Sequence, residues 1–153
     1  MFNFFKNKKK NDEYDLQIKT AALLINAAKI DENYTENEKK IIKKTLFEFG
    51  INNEKIPEVF DKAENIEKNS NQILEFTKEI KNTDEKFKIK VVEILYNIIY
   101  SDGTSDMYES NFMRRITGLL YLDKKVVGNI KEKIKNKLNK WHTSLTINVL
   151  NVN

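Results

Sequence analysis

Apolar residues recur every three or four positions along most of the chain, the spacing of helices that each bury one face. Leu16, Thr20, Leu23, Leu24 and Ala27 predict a first helix over Asp15–Lys29, with Ala21 and Ala22 permitting close packing. A second begins near Glu36 and carries Ile41, Ile42, Thr45, Leu46 and Phe49 on one face; Gly50 follows where a left-handed cap would end it. Pro57 suits the first turn of a third helix with the stripe Val59, Phe60, Ala63 and Ile66. A fourth spans Ser70–Lys81. Thr83 or Asp84 opens a fifth, whose apolar residues nearly encircle it between 91 and 100, which makes it the expected central helix. A sixth runs to about Tyr121. Asp123 opens a last one with Val126, Val127, Ile130, Ile134 and Leu138 facing inward. The expected fold is all-α: a single-domain bundle of six or seven helices.

Only Thr143–Val152 breaks the pattern. Leu145, Ile147 and Val149 alternate with polar residues at strand period, and no partner strand is evident elsewhere. The segment reads either as a loose or helix-continuing tail, or as a strand that pairs with another chain.

The pattern also repeats. Leu24, Asn26, Asp31 and Glu38 fall on Leu95, Asn97, Asp102 and Glu109, 71 positions later. Each copy is an apolar helix, an acidic corner opened by aspartate, and an amphipathic helix, so a duplicated helix pair underlies the bundle.

Composition supports the helical reading and removes several chemistries. In 153 residues there are four Gly, one Pro and no Cys, with 40% hydrophobic residues. One domain with a real core fits this length, and turn-rich all-β folds do not fit this composition. Disulfides, thiolate metal sites and cysteine nucleophiles are excluded, and the single His142 argues against His-rich zinc sites and a Ser-His-Asp triad. The net charge of +4 is uneven: residues 1–10 carry +4, residues 11–122 carry −5 and residues 123–153 carry +5. An acidic helical body thus has two basic ends, which argues against reading the whole as a nucleic-acid binder. No segment reaches the roughly 18 apolar residues of a membrane span, and the Phe run of MFNFFKNKKK is too short for a secretory signal. The expected location is the cytoplasm, with a peripheral position at the inner face of the membrane if the N-terminus engages lipid. Phe2, Phe4 and Phe5 followed by Lys6, Lys8, Lys9 and Lys10 suit weak contact with an anionic membrane surface, or an arm whose Phe side chains pack on the bundle.

Candidate chemistry is confined to the two corners. Asp31 and Asp102 each stand at the C-terminal end of a helix, where the macrodipole disfavours a carboxylate. Thr35 with Glu38, and Asp106 with Glu109, have the spacing of capping boxes. Capping is one reading of those four residues. The other is a hard-cation site, in which Asp31, Glu38, Asp102, Asp106 and Glu109 supply oxygens that suit calcium or magnesium better than zinc. The EF-hand pattern is not met: counted from Asp31, positions six and twelve are Glu36 and Ile42, and from Asp102 they are Met107 and Met113.

The two segments AALLINAAKIDENYTENEKKIIKKTLFEFGI and VEILYNIIYSDGTSDMYESNFMRRITGLLYL resemble the halves of TerB-like domains, the tellurite-resistance family whose fold also forms the N-terminal part of the DjlA co-chaperone. Such domains show an Ala-Asp-Gly-Glu corner, a second acid and a capping Glu in each half. Asp102, Gly103, Asp106 and Glu109 stand at motif positions. The first half keeps Asp31 and Glu38, while Glu32, Asn33 and Thr35 replace the Gly and the other acids, and Thr104 replaces Glu in the second half. The resemblance covers residues 14–125, leaving residues 1–13 as a basic, aromatic arm and residues 126–153 as a basic C-terminal helix and tail. It implies a helical bundle, an association with stress responses and a metal-binding role for the acids, and no catalysis. The expected function is therefore a non-enzymatic binding or scaffold module for protein partners, with corners open to a divalent cation or a basic partner. The rival expectations are a metal-dependent hydrolase built on the corners and a basic-tailed nucleic-acid adaptor.

Overall fold

A computed structural model of the chain describes residues 10–30, 34–70, 73–100 and 107–151. These residues form seven helices: α1 (Lys10–Ala28), α2 (Glu36–Glu48), α3 (Ile56–Asn69), α4 (Leu74–Ile80), α5 (Glu85–Ile99), α6 (Met107–Leu119) and α7 (Lys124–Asn151). No strand occurs among the described residues. The all-α bundle expected from the periodicity is what the chain forms.

Helix starts follow local chemistry. The Thr35 hydroxyl accepts from the Glu38 N–H (3.2 Å), and the Asp84 carboxylate accepts from the Phe87 N–H (2.8 Å), each satisfying a donor that the helix leaves open. Asp123 receives the Lys125 N–H at 2.7 Å at the start of α7. Pro57 occupies the first turn of α3, where its missing N–H is harmless. The fourth helix is shorter than Ser70–Lys81 predicts: α3 ends on Ser70, whose hydroxyl donates to Glu75 (2.9 Å), and α4 begins at Leu74.

The repeat extends to the backbone. At the end of α2, the Gly50 N–H donates to the Phe47 carbonyl (3.0 Å) and the Ile51 N–H to the Leu46 carbonyl (3.1 Å), a Schellman cap. At the end of α6, 71 positions on, the Tyr121 N–H donates to Gly118 and the Leu122 N–H to Thr117, both at 3.2 Å. Both caps need a left-handed residue: Gly50 has φ 104° and Tyr121 has φ 57°. Glycine adopts that conformation freely and tyrosine does not.

The core places α1 at the centre, a role the sequence pattern assigns to α5. Helix α1 packs against α2, α3, α4 and α5, while α5 packs against α1 and α7. The reason is side-chain size. Ala21, Ala22, Ala27 and Ala28 are buried and let several neighbours approach, while the apolar girdle of α5 is buried as its sequence pattern predicts. Ile41 also departs from its expected inward stripe: it is exposed, and Ile42, Thr45, Leu46 and Phe49 form the buried face of α2. Val127 and Ile134 of α7 are buried in the same core. The alternating tail is helical through Asn151 and forms no strand, because extending a formed helix gains a hydrogen bond per residue while a lone strand has none to make. The basic arm at residues 1–9 lies outside the described residues.

The two caps make opposite predictions. Gly50→Ala should lower stability by about 1–2 kcal/mol and Tyr121→Gly should raise it by up to about 1 kcal/mol, since only the second relieves left-handed strain. Urea unfolding monitored by circular dichroism measures both.

Candidate binding site

The sequence motif places one acidic corner before α2 and one before α6. Of the five candidate ligands, Asp31, Asp102 and Asp106 lie outside the described residues. Glu38 and Glu109 are described, and their surroundings differ although they occupy the same repeat position.

Around the first corner, the protein supplies its own cations. Glu67 on α3 is only 8% exposed; it pairs with Lys29 (2.5 Å) and accepts from the Asn26 amide (3.2 Å). The Tyr34 ring has the Lys29 ammonium at 5.3 Å and the Lys39 ammonium at 5.1 Å from its centroid. Its hydroxyl donates to Glu64 (3.3 Å), which Lys39 also approaches at 3.9 Å. Burial, followed by the negative charge of Glu64, raises the Tyr34 pKa well above the ordinary tyrosine value. Glu38 engages the cap: its N–H donates to the Thr35 hydroxyl (3.2 Å), which donates in turn to the Glu38 carboxylate (3.4 Å). This is the structural reading of Thr35 and Glu38 that the spacing allowed.

In the second half, the counterpart Glu109 is 5% exposed and belongs to the wall of a cavity of about 350 Å³ between α5, α6 and α7. Tyr96, Ile99 and Tyr100 from α5, Met113 from α6, and Leu122 and Val127 beyond it provide most of the apolar lining. The Tyr96 and Tyr100 rings stack with centroids 5.9 Å apart and planes 9° from parallel. Burial and then the adjacent Tyr100 push the Tyr96 phenol up to about 12. Arg114, Lys124 and Lys131 also line this cavity; the first two side chains are exposed and Lys131 is partly so. The sequence-based list of site residues contained only Glu109 from this set. The missing signal was present in the repeat, but away from the acids, where residues 71 apart differ in bulk.

Among the described residues, no three acidic or histidine side chains converge as metal ligands would. Nor does any helix there have the length and apolar character to cross a membrane. The family model for tellurite resistance protein TerB matches residues 17–132. The chain belongs to the TerB family. Comparison with curated proteins and with solved structures gives no match. In this TerB domain the match begins within α1 and ends within α7, so it takes in both corners and the cavity between α5, α6 and α7.

The raised phenol ties stability to alkaline pH. Below the unfolded tyrosine pKa near 10, Tyr96 is neutral in both states and its contribution is complete; above it, the unfolded chain releases the proton first. Stability should therefore fall as pH rises from about 10 through about 12. Tyr96→Phe should reduce that loss, as read from denaturant midpoints at pH 9 and pH 11.

Proposed function

We propose that this TerB domain is a non-enzymatic binding module, linked to stress responses, whose second acidic corner takes calcium or magnesium through Asp102, Asp106 and Glu109. The observation that carries this reading is the burial of Glu109 at the start of α6. An ionised carboxylate removed from water must be compensated by donors or by a cation. Hard oxygen ligands from aspartate and glutamate suit calcium and magnesium.

Thermal melting in separate titrations with calcium and magnesium tests the proposal. At a metal concentration about 50-fold above the dissociation constant, the native state should gain about 2.3 kcal/mol, and the melting temperature should rise accordingly. Asp102→Asn combined with Glu109→Gln should abolish the rise, and Asp31→Asn should leave most of it. No rise at millimolar metal, or an equal rise in the double variant, contradicts the assignment.

A further inference from the structure

The cavity has a specific origin in the repeat. Phe60 is 2% exposed on α3, and Lys131 stands at its position in α7. Phe47 packs against the core from α2, and its counterpart on α6 is Gly118. Pro57 near the start of α3 corresponds to Gly128. Two aromatic residues of the first half, Phe60 and Phe47, are thus replaced by a lysine and a glycine in the second; both replacements line the cavity, as does Gly128 at the position of the exposed Pro57. The frame keeps its register: Ile56 and Val127, and Ala63 and the larger Ile134, are buried at positions 71 apart, and the C-terminal caps of α2 and α6 match bond for bond. A Cβ built on Gly118 or on Gly128 meets no atom within 4 Å. Neither glycine is required for close approach of another helix.

We propose that this cavity is a binding site for a small planar aromatic anion. The stacked Tyr96 and Tyr100 rings both line the cavity and offer aromatic surface against which a third ring can pack. At interior packing density, about 350 Å³ holds on the order of 12–15 non-hydrogen atoms, the size of a two-ring carboxylate. Charge sets the orientation. Arg114, Lys124 and Lys131 attract the anionic group. The ligand therefore lies with its rings against the tyrosines and its charge toward the three cations. Lys43, the repeat counterpart of Arg114, instead sits over the Phe60 ring at 4.7 Å, so in the first half the same cationic position faces an aromatic ring of the protein itself.

Isothermal titration of the full chain with 2-naphthoate, with 2-naphthalenemethanol as its neutral counterpart, tests the site. EDTA in the buffer separates the result from divalent-cation binding at the acidic corner. Naphthoate should bind with a submillimolar dissociation constant, at least about tenfold more tightly than the alcohol, and more weakly as salt rises. Gly128→Leu should lose at least about tenfold in affinity while melting at the same or a higher temperature, because it fills space without displacing a neighbour. Arg114→Gln combined with Lys131→Gln should lower the affinity for naphthoate and leave that for the alcohol unchanged, which keeps the test open should Gly128→Leu not fold. No binding at millimolar naphthoate, equal affinity for the alcohol, or full affinity in a folded Gly128→Leu variant overturns the proposal.

Discussion

Close packing on the alanine-rich faces of α1 is the constraint from which the rest of the bundle follows. Ala21, Ala22, Ala27 and Ala28 are buried and carry only a methyl group each, so α2, α3, α4 and α5 can all rest against one helix. Leu16, Leu23, Leu24 and Ile25 fill the intervals between them. A larger residue at these alanine positions would push at least one helix away, since well-packed interiors accommodate added volume poorly.

The duplicated halves share a backbone plan and differ in how their third helix closes it. On α3, Phe60 is buried and Glu67 pairs with Lys29, so the first half is sealed by the chain's own side chains. In the second half, Lys131 replaces Phe60 and Gly118 replaces Phe47, and a cavity stands between α5, α6 and α7. Duplication allows this division because one sealed half supplies stability while the other is released from filling its own interior. A carboxylate, a tyrosine stack and three cations along one cavity are the result.

Much of this plan was legible in the chain. Helical period, Gly50, Pro57, Asp84 and the Thr35–Glu38 spacing each act locally, through backbone conformation or a hydrogen bond to a near neighbour, so each can be read from a few adjacent residues. The acidic corners drew attention to Glu109, and the resemblance to TerB-like domains stood on the same residues. The cavity was not legible from residue types, because it consists of missing volume: Gly118 and Gly128 look like ordinary small helix residues until set beside Phe47 and Pro57. The centrality of α1 was hidden for a related reason. A periodic apolar stripe records how much of a helix is greasy, and it undervalues alanines that let many neighbours come close. The Lys29–Glu67 pair joins positions 38 residues apart, which no local pattern indicates.

The same frame is filled in one half and open in the other. Reciprocal exchange of Phe60 and Lys131, read as unfolding free energy for each single variant, tests it most directly. Phe60→Lys should lose about 3 kcal/mol or more, because it removes a buried ring and puts a charge into a filled interior. Lys131→Phe should be neutral or stabilising, because the ring enters unfilled apolar space. Substantial destabilisation by Lys131→Phe, or ready tolerance of Phe60→Lys, would contradict the account.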